Sequence, residues 1–210
     1  MKLYVFPVAP NPTRVRLFLA EKAEAGKPIE IEEVVVNLRE GEQRTPEHLA
    51  RHPGGTLPVL ELDDGRCFSE SLAIIEYLEE LHPEPSLCGV TPLERLRLRG
   101  LERLCELGVL GPMSRLVHAT RSPLGRPPNP AVAESARSAL PNALRLLDDQ
   151  LSDGRPFLAG ERPSVADCTL AAALQFGRFG EVESLADFDH LQAWDARYRQ
   201  RPPAKAVLLL

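Results

Sequence analysis

The hydrophobic pattern changes period several times in the first 82 residues. Leu3, Tyr4, Val5 and Phe6 form a continuous apolar run stopped at once by Pro7, which predicts a short buried strand over 2–6. From Pro12 to Ala25, apolar Val15, Leu17, Phe18 and Leu19 alternate with Arg14, Arg16, Glu21 and Lys22. That spacing predicts a helix with Asn11 as N-cap, Pro12 at the first helical position and Gly26 as the stop. β-Branched bulk returns at Ile31, Val34, Val35 and Val36, a second strand over 29–36. A strand, a helix and a strand in this order predict parallel pairing through a right-handed crossover. The polar stretch 39–51 predicts a loop with a short helix. Leu57–Leu62 then predicts a third strand, Asp63-Asp64-Gly65 a hairpin turn, and Arg66–Phe68 a fourth strand antiparallel to the third. Ser69–Leu81, with Leu72, Ile74, Ile75, Tyr77, Leu78 and Leu81 on one stripe, predicts an amphipathic helix.

Three prolines and a glycine within His82–Pro92 mark a linker. Everything beyond it has helical spacing: a long segment over 93–118, amphipathic Ala131–Leu151, a helix opened by Ser164-Val165-Ala166-Asp167 and running through Leu174, and another over 189–201. Ser164 and Asp167 have the spacing of a capping box. The domain organisation expected is therefore 1–82, a linker over 83–91, and an all-helical domain over 92–210.

Composition narrows the function classes. The chain has 210 residues, 43% hydrophobic and 26% charged, the balance of a globular protein rather than a disordered one. Apolar runs are too short to cross a membrane, and Pro7 interrupts the first one too early for a signal peptide, so the chain is expected in the cytoplasm. Cys67, Cys88, Cys105 and Cys168 form no C-x-x-C pair and no cluster with zinc-ligand spacing. Four reduced thiols and no metal are the expectation. The net charge of −5 argues against the dominant basic face of a nucleic-acid binder.

Three short segments can carry chemistry. In Gly54-Gly55-Thr56-Leu57-Pro58-Val59-Leu60 a proline starts a strand. A trans bond is the commoner form there; a cis bond would turn the Leu57 N–H and C=O outward, where a peptide ligand could pair as an added strand. Ser69-Glu70-Ser71 precedes an apolar helix. It reads as a cap, and the same geometry suits an α-amino acid end, with free N–H groups and the Ser71 hydroxyl for a carboxylate and Glu70 for an ammonium. Ala9-Pro10-Asn11-Pro12-Thr13-Arg14 opens the first helix. There a thiolate would be stabilised by the helix terminus, and the Asn11 amide could donate to it.

Together and in this order, these segments resemble the cytosolic glutathione transferase superfamily over nearly the whole chain. Gly54–Leu60 with Ser69-Glu70-Ser71-Leu72-Ala73-Ile74 looks like its glutathione-site signature, and Phe157–Asp167 like its helical-domain signature. The resemblance implies an α/β thioredoxin-like N-terminal domain, βαβ-ββα with a mixed four-stranded sheet, followed by an all-α helical bundle domain. It implies glutathione as co-substrate and a homodimer. It makes Pro58 a cis proline, pairs the Leu57 backbone with the cysteinyl unit, and assigns Glu70 and Ser71 to the γ-glutamyl end. Gln43 and Thr56 match further polar contacts. The second-substrate pocket is expected from Ala9, Pro10, Leu110 and Met113, with Leu116 beside them.

Many members carry Tyr, Ser or Cys after the first strand to bind the sulfur, and Phe6–Pro12 contains none of these. Ala9-Pro10-Asn11 is instead similar to nu-class bacterial members, which carry Thr-Pro-Asn there and reduce disulfides with glutathione. Ala9 lacks that threonine hydroxyl, which leaves Asn11 as the catalytic candidate, helped by N–H groups of the first helix. With no cysteine near that helix, the nucleophile is the bound glutathione thiolate. The expected partner is a small electrophile or a disulfide. The alternative is a non-catalytic binding or regulatory module on the same fold. Arg115, His118 and Arg121 gather at the end of the 93–118 segment, where they complement the helix dipole.

Overall fold

The computed structural model describes residues 1–209. Its N-terminal half is a sheet of four strands, β1 (Lys2–Val5), β2 (Glu32–Val35), β3 (Val59–Glu61) and β4 (Cys67–Phe68), in the order β2-β1-β3-β4. β1 is central: it runs parallel to β2, with Val5 opposite Val35, and antiparallel to β3, with Leu3 opposite Leu60. β4 closes the edge antiparallel to β3. Helices α1 (Pro10–Glu24) and α3 (Ser71–Leu81) pack together and bury Val15, Leu17, Phe18, Ile74, Ile75 and Leu78, while α2 (Pro46–Arg51) is a short polar turn of helix before β3. This is the expected thioredoxin-like arrangement, with each strand shorter than its apolar run.

Two helix starts differ from expectation. α1 opens at Pro10, so Ala9 and not Asn11 occupies the cap position, and its side chain contributes no cap. Pro10 fixes a helical φ and gives up no hydrogen bond there, which draws the helix forward. α3 opens at Ser71 with Glu70, not Ser69, at the cap; Glu70 has φ 70° and ψ 102°. A non-glycine residue at positive φ is uncommon and is held there by its surroundings.

The helical half comprises α4 (Pro92–Cys105), α5 (Gly111–Thr120), α6 (Pro130–Leu151), α7 (Val165–Phe179), α8 (Asp189–Arg199) and α9 (Pro202–Val207). The single helix expected over 93–118 is interrupted by a π turn at Glu106–Leu110. Pro112, immediately beyond, has no N–H to donate to the regular ladder. α7 is buried over Val165–Gly177 and forms the centre of this half. Its Ser164–Asp167 capping box forms as expected, and Asp167 also accepts from the Leu158 N–H and from Trp194 Nε1. α9 was not foreseen. It packs on α1, joined by an ion pair between Arg201 and Glu21.

A buried ion pair fixes the linker. Lys22 is fully buried, lies 2.6 Å from Glu79 Oε2, and donates to the carbonyls of His82 and Pro85. Glu79 Oε1 accepts from Ser86 Oγ and from the N–H groups of Leu87 and Cys88. No helix among the described residues is long and apolar enough to cross a membrane.

Candidate active site

Leu57 stands two residues before β3, and the Leu57–Pro58 peptide is cis. The N–H and C=O of Leu57 enter no hydrogen bond with other described residues, so a short open strand edge faces outward. Residues around it are packed close. Gly55, at φ 57°, leaves only 2.7 Å between an added Cβ and the Gln43 carbonyl, so any larger residue would push Gln43 away. Gln43 Oε1 is buried without a partner. The Thr56 hydroxyl lies 2.7 Å from His52 Nε2, and the Thr56 carbonyl 3.3 Å from His48 Nε2. Gln43, beside Gly55, thus lies close to the Thr56-Leu57-Pro58 segment that leads into β3.

At the start of α3, the Glu70 side chain is exposed and pairs with no other described residue. Ser71 is buried; its Oγ accepts from Arg14 Nε at 2.8 Å and donates to Asn11 Oδ1 at 3.5 Å. Asn11 therefore lies against the serine from the first turn of α1, with its amide nitrogen still available. The terminus has few other donors. Pro10 and Pro12 carry no N–H, the Ala9 N–H bonds the Phe6 carbonyl and the Thr13 N–H bonds the Ala9 carbonyl. Only the Asn11 backbone N–H is left free, fewer than the several expected to help.

Sequence reasoning missed what lies beneath. Arg14 is 2% exposed, and its Nη1 donates to Glu102 Oε1 at 2.8 Å and to Glu106 Oε2 at 3.0 Å. Thr169 of α7 donates to the same Glu102 oxygen, and Glu102 Oε2 has no partner. Two carboxyls on one guanidinium titrate as a pair. Burial, opposed by the Arg14 charge and reinforced by Glu106, pushes Glu102 up to about 7. Glu106 is also raised by its partial burial, but hydrogen bonding and charge from Arg14, with Arg103, hold it below its ordinary value. Of the two carboxyls, Glu102 is the one that loses its proton at the higher pH.

All four cysteines are free, and burial raises each above its ordinary value, Cys88 to about 12. Met113 and Leu110, expected in the pocket wall, are buried in the helical core, as is Leu116. The Met113 sulfur comes within 2.9 Å of where a Cβ on Gly177 would sit, which only glycine allows. Pro10 is buried and Ala9 half-buried. Arg115 is exposed, Arg121 pairs with Glu181, and His118 Nδ1 lies 3.0 Å from Ser122 Oγ with the His118 ring against Phe176. No hydrogen bond joins the three to one another.

The profile described as "Glutathione S-transferase, N-terminal domain" matches residues 3–86, and "Glutathione S-transferase, C-terminal domain" matches 113–202. The chain is 36% identical to Glutathione S-transferase 2 of Saccharomyces cerevisiae, over 99% of this chain and 89% of that protein. The crystal structure of Gtt2 from the same organism superposes with a TM-score of 0.88 at 35% identity, covering 99% of this chain and all of that one. FtsZ-localized protein A of Caulobacter vibrioides is 32% identical over 98% of this chain and 90% of its own. With the sheet order, the open edge at Leu57 and both halves matched, this chain belongs to the cytosolic glutathione S-transferase superfamily.

Proposed function

We propose that the chain binds glutathione along Leu57 and uses its thiolate against a small electrophile or a disulfide. The observations that support this are the unpaired Leu57 backbone before β3 and the unpartnered Glu70 carboxylate beside Ser71 at the start of α3. An extended tripeptide offers an N–H and a C=O to that edge, an ammonium to Glu70 and a carboxylate to the start of α3. Gln43 and Thr56 stand at the other end of the groove, toward the glycyl carboxylate. Asn11 is the catalytic residue in this reading, its backbone N–H and side-chain amide donating to the sulfur.

One charge-assisted donor pair and a helix terminus contribute about 1–3 kcal/mol toward the thiolate. In disulfide reduction the thiolate forms a new S–S bond with one sulfur of the acceptor, and the other sulfur leaves as a thiolate. A second glutathione thiolate then attacks the glutathionyl sulfur of the mixed disulfide, forming glutathione disulfide and releasing the acceptor's remaining sulfur as a thiolate. With a haloarene, the C–S bond forms as the halide leaves.

Four free cysteines fit a reducing cytoplasm, and a homodimer belongs to the same proposal. Leu93 and Leu96 on α4 are 57% and 68% exposed, an apolar strip that a second copy would cover. The test is turnover of chlorodinitrobenzene and of hydroxyethyl disulfide with glutathione, by wild type and by Glu70→Gln. Turnover of at least one, with the glutathione KM raised roughly tenfold in the variant, supports the reading through loss of one charge pair. Glutathione binding without turnover of either would refute both activities, and no glutathione binding would favour the non-catalytic binding or regulatory alternative.

A further inference from the structure

The Leu57 N–H belongs to the same peptide unit as the Thr56 carbonyl. That unit is trans, since the cis bonds are Leu57–Pro58 and Glu84–Pro85. A trans peptide is planar, with its C=O and N–H on opposite sides, so whatever fixes the oxygen also aims the hydrogen. The Thr56 carbonyl is held by His48, whose Nε2 lies 3.3 Å away. A carbonyl only accepts, so Nε2 carries the proton and Nδ1 the lone pair. His48 is 1% exposed, and Nδ1 has no partner among the described residues. A proton on Nδ1 would be buried with nothing to accept it.

Two elements set the ring. On α2, Thr45 Oγ1 accepts the His48 N–H at 3.3 Å and caps the helix. On β1, Tyr4 meets the imidazole edge-on, with centroids 6.4 Å apart and planes 77° from each other. Tyr4 is itself fixed: its hydroxyl donates to Glu61 Oε2 at 2.7 Å, and the Arg51 guanidinium lies over its ring. Two further bonds tie α2 to this segment. The His52 carbonyl accepts the Gly55 N–H at 2.9 Å, and His52 Nε2 lies 2.7 Å from the Thr56 hydroxyl. Of the three ties, the His48 bond is the one that acts on the peptide unit presenting the Leu57 N–H.

We infer that His48 is a positioning residue for the tripeptide: by holding the Thr56 carbonyl, it aims the Leu57 N–H at the cysteinyl carbonyl of bound glutathione. The inference rests on the reading above, in which glutathione pairs along Leu57. His48 is closed to solvent, so it acts on the tripeptide through Thr56, and its effect falls on glutathione affinity and not on the acceptor. Burial holds the ring below its ordinary value despite the Thr56 hydrogen bond, and the Arg51 and His52 charges add to that, so near pH 7 the ring is neutral with a single N–H to give.

Calorimetric titration of the intact chain with glutathione tests this on wild type, His48→Phe and His48→Gln. Phenylalanine keeps a flat ring against Tyr4 and removes the donor; glutamine keeps an amide N–H at similar reach. His48→Phe raises the glutathione Kd roughly tenfold, and His48→Gln stays within about threefold of wild type. In both, the acceptor KM and the kcat at saturating glutathione stay within about twofold. Equal affinity in wild type and His48→Phe overturns the inference. So does an equal loss in both variants, which would make His48 a packing residue, and so does a loss confined to kcat. Wild type that binds no glutathione refutes the reading above as well. Should His48→Phe not fold, the tautomer in wild type decides: a long-range proton–nitrogen NMR correlation placing the proton on Nε2 supports the inference, and one placing it on Nδ1 overturns it.

Discussion

Arg14 Nε donates to Ser71 Oγ at 2.8 Å in a site closed to solvent, tying the first turn of α1 to the first turn of α3. The same guanidinium reaches Glu102 and Glu106 on the helical half, so one side chain connects the start of α3 to the domain behind it. The serine hydroxyl is thereby held in one orientation, accepting from arginine and facing Asn11.

Replacing Arg14 with leucine strands a buried carboxyl. Breaking a buried pair from one side costs about 3–5 kcal/mol, whereas replacing both partners with apolar residues costs far less. Arg14→Leu should lose that much stability in urea unfolding, and Arg14→Leu with Glu102→Leu should recover most of it. Neither should regain the wild-type affinity for glutathione, because Ser71 has lost its donor in both. Recovery of affinity in the double variant would show that Arg14 acts only through stability.

Glu102 gives the fold a specific pH dependence. Its carboxyl is raised from 4.5 to about 7 in the folded chain. Between those values the folded state holds more protons than the unfolded, so this group's contribution is full below 4.5 and is lost as pH rises through 7. At about 1.4 kcal/mol per unit, wild type should lose roughly 2–3 kcal/mol relative to Glu102→Gln between about pH 5 and pH 8. Paired urea titrations across that range measure it. Parallel curves would mean that Glu102 is ionised throughout.

Asn11 should act on the thiol. Loss of a hydrogen bond to a charged group costs about 1.5–3 kcal/mol, or roughly 10–100-fold in rate. Asn11→Ala should lower kcat/KM by that factor and move the acid limb of its pH profile up by about one unit or more. A drop with no shift in the limb would assign Asn11 to positioning of the γ-glutamyl end beside Ser71.

Lys22 should prove structural. Its ammonium holds Glu79 and two linker carbonyls with no solvent contact. Lys22→Met should lower stability by about 3–5 kcal/mol, read by thermal or urea unfolding, while the glutathione KM of the folded fraction stays near wild type.

The strands and the main helices were legible because they depend on local spacing: apolar runs, a helical apolar period, prolines and glycines between them. The exact helix starts were not. Asn11 and Ser69 are both good caps by residue type, yet proline geometry at Pro10 and the positive φ of Glu70 moved each helix to a different start. Arg14 reads in sequence as one more polar residue on a solvated helix face. Its partner Glu102 lies 88 positions downstream, and nothing local marks either as buried. Leu110 and Met113, expected at the pocket as apolar residues of the 93–118 segment, are buried in the core, and a π turn at Glu106–Leu110 interrupts that segment.

A crystal structure of the chain soaked in glutathione tests the central claim most directly. The account predicts a tripeptide with its cysteinyl N–H and C=O paired to Leu57, its amino acid end at Glu70 and Ser71, and its sulfur within hydrogen-bond reach of Asn11. An empty groove at saturating glutathione, or a ligand bound away from Leu57, would contradict it.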